Sequence, residues 1–357
     1  MRIVQLIDSL EPGGAEKMAV TYANVLASEV SFSALITTRK EGALKKELDS
    51  DVSYLFANRK SVFDARSIWQ VRKYLKKNRV SIIQAHSSSF FFALLLKITK
   101  PSLKIVWHDH YGFSDFVSER KNKKAIQLAS LFFFRIITVN DKLKVWAEKN
   151  LYCKAIKYLP NFVSVTNNDD GIRLKGAEGK RILCLANLRE QKNHLLLLKV
   201  AKKIKEIYPD WTFHLVGKDF GDTYSATLRE RISVLELENT VFLYGSTDNS
   251  GYVIKQSQIG VLTSVSEGLP VSLLEYGYFS LPVVTTAVGE IPSIIKETNG
   301  ILVPEGNTEL FSEGLLKLIA DSDYRQKIGS AFKNDIEQHY TKESVLKDYL
   351  NFINNGN

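Results

Sequence analysis

The stretch Ser266-Glu-Gly-Leu-Pro-Val-Ser-Leu-Leu-Glu275 follows an apolar run at 259–264, and together they predict a buried strand, a tight turn and a short apolar helix. Pro270 suits the first position of a helix, where its missing N–H leaves no hydrogen bond unmade. The segment therefore places a helix N-terminus at the carboxyl end of a strand, where open parallel sheets bind anions and other ligands.

Two carboxylates bracket this stretch, Glu267 in the turn and Glu275 about two turns into the helix. The helix is otherwise apolar, so Glu275 requires a polar partner if it is buried. A pair of sugar or ribose hydroxyls would serve, because hydroxyl groups donate to a carboxylate.

Strand-like and helical patterns alternate on both sides of this stretch, which predicts parallel α/β layers. The alternation breaks in a region rich in Asn, Asp and Gly, and 357 residues suffice for two domains with separate cores. We predict two doubly wound, Rossmann-like parallel-sheet domains at 1–162 and 180–340, joined by a linker at 163–179. Two such domains would face each other across a cleft.

The composition is that of an ordinary soluble globular protein, with 45% hydrophobic and 24% charged residues. Cys153 and Cys184 give neither a disulfide framework nor a metal-binding spacing, which favours a reducing compartment. The first residues lack the pattern of a signal peptide, and no apolar run reaches the length of a membrane span. We therefore expect a cytoplasmic protein.

Charge is distributed unevenly along the chain. Residues 1–160 carry 27 Lys and Arg against 14 Asp and Glu, a net +13, whereas residues 161–357 carry a net −4. A basic first half favours an anionic partner or surface, and a lysine-rich solvated surface is the alternative interpretation.

Gly13-Gly14 precedes the first predicted helix. Two glycines allow a phosphate to approach the backbone at a helix N-terminus, although a plain tight turn has the same pattern. The motif is not G-x-G-x-x-G and no acidic residue ends the second strand, so a dinucleotide site is disfavoured.

His108-Asp109-His110 ends another predicted strand. A histidine there could orient or deprotonate a hydroxyl, or it could be a hydrogen-bonded structural residue. A metal site is disfavoured because no fourth ligand is evident.

Arg189 and Lys192 follow the first strand of the second half, just before a helix. A planar guanidinium and an ammonium three residues apart suit a diphosphate, and a solvated loop is the alternative. Glycoside hydrolysis by Glu267 and Glu275 is disfavoured, because its two carboxylates must flank one bond at a set separation.

In this order, the motifs resemble the retaining GT-B glycosyltransferases of family 4, over nearly the whole chain. The strongest match is the E-x7-E pattern from Glu267 to Glu275, continued by the run Leu281–Pro292. Gly13–Glu16 resembles the family's amino-terminal turn, and Asn187–Lys192 resembles its phosphate clamp.

The resemblance implies a role for each residue. Arg189 and Lys192 would bind the donor diphosphate, Glu275 the ribose and Glu267 the transferred sugar. Backbone amides near Gly14, Gly268 and Leu269 would approach phosphate and sugar. His108 aligns best with the family's active-site histidine, with His110 as the alternative, and the reaction would need no metal and no cofactor besides the nucleotide sugar.

The chain departs from the family pattern at several positions. Asn187 and Asn193 stand where the family usually has glycine, Tyr276-Gly277-Tyr278 replaces the common Ala-Met-Ala, and Glu290 replaces a second glycine. These differences bear on the donor more than on the fold.

The resemblance also implies a function. The chain would transfer a hexose-type sugar from a UDP- or GDP-linked donor to a glycan or polyprenyl-diphosphate-linked acceptor, in the assembly of capsule, exopolysaccharide or lipopolysaccharide. The first domain would bind the acceptor, with a helix at 341–357 packing back on it. Nucleic acid is not an expected partner.

The basic segment Arg120–Lys124 and the apolar run Leu128–Phe134 would then contact an anionic membrane from the cytoplasmic side, unless the run is buried core. Two other functions remain open, a GT-B sugar-nucleotide epimerase and a non-catalytic sugar-binding protein. The E-x7-E pattern disfavours the first, and the missing signal peptide disfavours an exported form of the second.

Overall fold

The computed structural model describes residues 1–110, 123–163 and 170–354. The chain divides into two compact units, Met1–Asn161 together with the segment from Val345, and Phe162–Ser344. We refer to them as unit 1 and unit 2. Residues 120–122 of the predicted basic segment, 164–169 of the predicted linker and 355–357 of the predicted C-terminal helix lie outside the described residues.

Unit 1 is built on a seven-stranded parallel sheet of order β3-β2-β1-β4-β5-β6-β7. The strands are β1 (Arg2–Ser9), β2 (Phe32–Lys40), β3 (Ser53–Phe56), β4 (Ile82–His86), β5 (Lys104–Asp109), β6 (Arg135–Thr138) and β7 (Ile156–Tyr158). Its first helices are α1 (Gly14–Ala27), α2 (Ala65–Lys77), α3 (Phe90–Thr99), α4 (Lys123–Ala129) and α5 (Asp141–Asn150).

The strands of unit 1 are apolar on both faces because helices cover both faces. Val4 and Leu6 of β1 belong to the cluster that includes residues of α2 and α3, whereas Ile7 and Leu35 pack with residues of α1. Successive strand residues point to opposite faces, so one strand contributes to both cores.

Unit 2 is built on a six-stranded parallel sheet of order β10-β9-β8-β11-β12-β13. The strands are β8 (Arg181–Leu185), β9 (Thr212–Val216), β10 (Val241–Leu243), β11 (Ile259–Leu262), β12 (Val283–Thr286) and β13 (Ile301–Val303). The helices are α6 (His194–Ile207), α7 (Thr223–Val234), α8 (Ser250–Lys255), α9 (Val271–Tyr278), α10 (Ile291–Ile294), α11 (Thr308–Ala320) and α12 (Ser322–His339). The two Rossmann-like parallel sheets confirm the predicted fold class.

The last helix, α13 (Lys342–Asn354), packs on unit 1. The ring of Tyr349 lies 4.9 Å from that of Tyr22, centroid to centroid. Asp348 pairs with Lys157 at 3.0 Å, and the Arg135 guanidinium stacks 4.6 Å from the ring centroid of Phe352. The chain therefore returns to its first unit at its end.

Two helices of unit 2 were not predicted. One is the 18-residue α12, whose Ile328, Phe332 and Ile336 are buried. These residues recur every four positions in an otherwise polar stretch, so the apolar stripe is narrow and its helical period is easily overlooked. The short α8 was also missed, and Pro270 is the residue that precedes α9 rather than its first residue.

Among the helices of the described residues, none has the length and apolar character needed to cross a membrane.

Candidate active site

The sheet order of unit 2 reverses between β8 and β11, so the loops that follow these two strands leave the same edge in opposite directions. Hydrogen bonds tie the two loops together. Thr263 Oγ1 donates to the Lys192 carbonyl at 2.9 Å, and Val265 N donates to the Gln191 carbonyl at 2.9 Å. Gln191 Nε2 donates to the Ser266 carbonyl at 2.6 Å. The turn that carries Arg189 and Lys192 therefore lies against the loop that carries Glu267.

At this place Lys192 and Glu267 form an ion pair, with 2.5 Å between Nζ and Oε1. Ser264 Oγ donates to the same carboxylate oxygen at 2.6 Å. Glu267 is only 5% exposed, so its charge requires this compensation. An ammonium has three donors, so Lys192 can hold Glu267 and an anionic ligand together.

Arg189 lies at the start of the same turn, with its guanidinium 4.7 Å from the ring centroid of Phe220. Its side chain is exposed, and Lys192 N donates to the Arg189 carbonyl at 2.9 Å. The turn that joins them ends at Asn193, whose φ is +50°. The two cations therefore lie on one short turn.

The two asparagines that replace family glycines have structural roles. Asn193 adopts a left-handed conformation, which Asn tolerates better than most residues, and its side chain accepts from Leu196 N at the start of α6. Asn187 Oδ1 accepts from Lys218 N at 2.8 Å. Both asparagine side chains therefore anchor the loop that carries Arg189 and Lys192 to neighbouring backbone.

Glu275 is 6% exposed on α9, and Ser250 Oγ donates to its Oε1 at 2.8 Å. Ser250 is the first residue of α8, so the sequence analysis missed this contact along with the helix. Asn249 before it accepts from Tyr252 N, and this N-cap pattern was the available sequence signal.

A second turn holds the backbone at Gly268 and Leu269. Glu290 N donates to the Gly268 carbonyl at 3.0 Å. Gly289 has a φ of +59°, and a Cβ there would lie 2.1 Å from the carbonyl oxygen of Glu267. This position therefore requires glycine on two counts, backbone conformation and space. Leu269 itself is buried.

In unit 1, α1 begins at Gly14 without a side-chain cap, and a Cβ at Gly14 would meet nothing within 4 Å. A helix N-terminus carries a partial positive charge, and here the Glu16 carboxylate of the first turn lies close to Gly13. The space around Gly14 is therefore open on the side where a side chain would point.

Three histidines lie together in unit 1, where the sequence analysis identified two. His108 in β5 is 1% exposed and pairs across the sheet with His86 of β4, which was missed. His110 follows the strand, and its Nε2 lies 2.8 Å from His86 Nδ1. His86 Nε2 lies 2.8 Å from Gln5 Oε1, and His108 Nδ1 lies 2.9 Å from Gln84 Nε2.

These imidazoles are neutral at pH 7. Burial lowers the pKa of His86 and of His108 well below the usual range, and the neighbouring imidazoles add to the effect. Burial lowers the pKa of His110 to about 3. One nitrogen of each ring lies within 4.8 Å of those of the other two. The hydrogen bonds above already engage nitrogens of all three rings.

Comparison with known proteins follows the same division of the chain. Residues 166–335 match the family model described as glycosyl transferases group 1, and residues 12–167 match the model of glycosyltransferase family 4. The chain is 24% identical over 362 residues to the amylovoran biosynthesis glycosyltransferase AmsD of Erwinia amylovora, covering 99% of each chain.

A second relative is the UDP-Gal:alpha-D-GlcNAc-diphosphoundecaprenol alpha-1,3-galactosyltransferase of Escherichia coli, 25% identical over 343 residues, which are 89% of this chain and 87% of that protein. Among solved structures, Anabaena Alr3699/HepE in complex with UDP and glucose superposes with a TM-score of 0.84 at 17% identity, over 99% of this chain and 100% of that one. This likeness shows a shared fold. With family matches that together run from residue 12 to residue 335, the chain belongs to the GT-B glycosyltransferases of the family 4 type.

Proposed function

We propose that this protein is a retaining glycosyltransferase that moves a hexose-type sugar from a nucleotide-sugar donor to a glycan or lipid-linked acceptor in the assembly of a bacterial surface polysaccharide. The observation that carries the proposal is the buried Glu267 held by Lys192 and Ser264 beside the exposed Arg189. A carboxylate paired with one cation, with a second cation on the same turn, suits a ligand with hydroxyl groups at one end and a diphosphate at the other.

In this proposal unit 2 binds the donor. Arg189 and Lys192 bind the diphosphate, Glu275 the ribose hydroxyls and Glu267 the sugar hydroxyls, while the amides of Gly268 and Leu269 approach the sugar. Negative charge grows on the diphosphate as the sugar leaves, so preorganised cations stabilise the transition state more than the ground state. The positive charge comes from side chains and helix N-termini, including that of Gly14, and requires no metal.

Retention follows if the leaving phosphate takes the acceptor proton on the face from which it departs. The acceptor hydroxyl then attacks on that same face, and an α-linked donor gives an α-linked product. Unit 1 supplies His108 or His110 near the reacting carbon. The names of two relatives support the reaction class, since one acts in amylovoran biosynthesis and the other is an alpha-1,3-galactosyltransferase.

The relatives also support the substrates. The name of the Escherichia coli relative contains UDP-Gal and a diphosphoundecaprenol-linked sugar, and HepE was crystallised with UDP and glucose. We therefore propose a UDP-linked donor first, with GDP as the alternative, and a polyprenyl-diphosphate-linked acceptor.

A lipid-linked acceptor requires contact with a membrane, and unit 1 has a surface that suits it. Leu128, Leu131 and Phe132 are 60%, 59% and 55% exposed, whereas Phe133 is buried. The alternative that the whole run 128–134 is buried core is therefore wrong, because only part of the run is buried. Lys123 and Lys124 precede these residues on α4, and apolar side chains beside lysines favour an anionic bilayer.

The proposal is tested by thermal shift with UDP, GDP, ADP and CMP, followed by a transfer assay with the corresponding sugar nucleotides. A ligand that binds only the folded state raises the melting temperature, and we expect one nucleoside diphosphate to do so. Arg189→Gln should abolish most of the shift, whereas Arg229→Gln, which removes an exposed arginine on α7, should not. If no nucleoside diphosphate shifts the parent at millimolar concentration, the assignment of the donor site is wrong.

A further inference from the structure

Tyr349 connects the C-terminal helix to the histidine cluster of unit 1. Its side chain is fully buried, and its hydroxyl donates to Gln84 Oε1. Gln84 is also fully buried, and its Nε2 lies 2.9 Å from His108 Nδ1. A hydrogen-bonded chain thus runs from Tyr349 through one amide to His108.

The hydrogen bonds from Tyr349 to Gln84 and from Gln84 to His108 fix the tautomer of His108. The Tyr349 hydroxyl occupies the amide oxygen of Gln84, so the group facing His108 is the amide NH2, which can only donate. His108 Nδ1 must then be the acceptor, and the proton of the neutral ring sits on Nε2. Within the described residues, His108 Nε2 is buried and has no hydrogen-bond partner.

A buried N–H without an acceptor is costly, and at a functional site such a donor is available to a ligand. We propose that Tyr349 is a positioning residue that acts through Gln84 to hold His108 as the Nε2–H tautomer, so that this nitrogen is a donor for an oxygen of the bound sugar or acceptor. The role at the reaction rests on the proposed function, whereas the tautomer does not. The helix that carries Tyr349 thereby becomes part of the catalytic apparatus of unit 1.

The other two histidines provide an internal reference. His86 Nε2 faces Gln5 Oε1, a carbonyl oxygen that can only accept, so His86 is protonated at Nε2 and its Nδ1 accepts from His110 Nε2–H. Tyr349 also interacts with the Gln5 side chain, but Gln5 contacts His86 through its carbonyl oxygen rather than through the group that faces Tyr349. Removing the Tyr349 hydroxyl should therefore alter His108 more than His86 and His110.

The experiment is 15N NMR of histidine-labelled protein, with kinetics of the same samples. We expect the parent to show His108 as the Nε2–H tautomer. Tyr349→Phe keeps the ring that packs on Tyr22 but frees the Gln84 amide to turn over, so the His108 signals should move towards a mixture of tautomers. The kcat for transfer should fall about 10- to 100-fold, with the donor KM unchanged. Gln84→Met should have the same kinetic effect.

Asp348→Asn is the matched control, because it removes an exposed ion pair of the same helix without touching the chain to His108. It should leave both kcat and the tautomer unchanged. The proposal is overturned by an Nδ1–H tautomer in the parent, or by unchanged His108 signals in Tyr349→Phe. A changed tautomer with unchanged kcat would overturn the positioning role, while a thermal shift with a nucleoside diphosphate would show that donor binding is intact.

Discussion

The ammonium of Lys192 and the carboxylate of Glu267 are paired although they are 75 residues apart in the chain. One follows β8 and the other follows β11, so the pair joins the two loops at the point where the sheet order of unit 2 reverses. The contribution of this ion pair to the free energy of unfolding can be measured separately from its contribution to donor binding.

Lys192→Met should weaken both stability and donor binding. The substitution leaves the buried Glu267 carboxylate with Ser264 but without its cation, which we expect to lower the free energy of unfolding by about 1–3 kcal/mol. Affinity for the nucleoside diphosphate should fall at least about tenfold, because one charge-assisted hydrogen bond is lost. Urea denaturation and calorimetry measure the two effects.

The control for Lys192→Met is Lys203→Met. Lys203 pairs with Glu309, whose side chain is 73% exposed, so its loss should cost less than about 0.5 kcal/mol and leave donor affinity unchanged. Equal donor affinity in Lys192→Met and the parent would remove Lys192 from the diphosphate site.

Glu275→Gln should reduce affinity for the nucleoside diphosphate by about 10- to 100-fold, since hydrogen bonds from hydroxyls to a carboxylate are stronger than those to an amide. Ser250→Ala removes a protein donor to Glu275 but keeps the carboxylate, so its effect on affinity should be smaller. Calorimetry with the 2′-deoxy analogue identifies the contact. The parent should bind the ribonucleotide more tightly than its 2′-deoxy analogue. If Glu275→Gln keeps the full difference in affinity between the two, Glu275 is excluded as the ribose ligand.

Gly289→Ala should disturb the donor loop through the backbone. The new Cβ would collide with the Glu267 carbonyl oxygen, and the left-handed φ adds about 1–2 kcal/mol of strain. Gly306→Ala has a similar φ of +75° but no neighbour within 4 Å, so it isolates the strain alone. Transfer activity should fall much further in Gly289→Ala than in Gly306→Ala. Equal losses of activity in the two variants would mean that the collision is relieved without moving Glu267.

Acidification should destabilise unit 2 through His214. Burial, with a smaller effect of Arg181, lowers the pKa of His214 to about 3, against about 6.5 for an unfolded histidine. The unfolded state therefore binds more protons between these values, and stability is full above about pH 6.5 and declines as the pH falls towards 3. Between pH 7 and pH 5 the loss from this one residue is about 2 kcal/mol.

Urea denaturation of unit 2 at both pH values tests this expectation. His214→Gln should lose about 2 kcal/mol less on acidification than the parent, whatever its stability at pH 7. His339→Gln, at an exposed position of α12, should behave like the parent. An unchanged pH dependence in His214→Gln would mean that the buried imidazole is protonated in the folded state.

Replacing Leu131 and Phe132 by serine should weaken binding to vesicles at least about tenfold, because two exposed apolar side chains no longer enter the bilayer interface. Replacing Ile207 and Val234, which are 57% and 63% exposed in unit 2, provides the control. Lys123→Gln with Lys124→Gln should reduce binding to anionic vesicles only, by roughly 1 kcal/mol per residue. Equal binding of all variants in a sedimentation assay would remove the membrane contact.

The sequence predicted the fold class because alternation and strand-end motifs are local signals. The segment at 259–275 and the turn at 189–193 can each be recognised within about fifteen residues, and the doubly wound class follows from the alternation of strands and helices. The contact of Ser250 with Glu275 was out of reach because it depends on a six-residue helix that carries little periodic signal. The same holds for His86 and Gln84, whose neighbours in space come from another strand.

Tyr276 shows why departures from a family pattern are hard to interpret from sequence. A Cβ at Gly260 of β11 would lie 2.7 Å from the Tyr276 ring, so the glycine provides the space that the tyrosine fills. The Tyr276 hydroxyl then accepts from Leu185 N at 2.6 Å. The absent side chain of Gly260 thus compensates for the large side chain of Tyr276. The sequence does not show this pairing, because it depends on where β11 and α9 lie in the fold.

The return of α13 to unit 1 has a consequence for synthesis on the ribosome. Residues 1–161 leave the ribosome before all of unit 2. The hydrogen bond from Tyr349 to Gln84 can form only after unit 2 has been synthesised. At typical elongation rates, synthesis of the residues between 161 and Tyr349 takes roughly ten to forty seconds. A nascent chain that stalls within unit 2 would lack α13, so the Tyr22 ring and the Gln84 amide would be without their contacts to Tyr349.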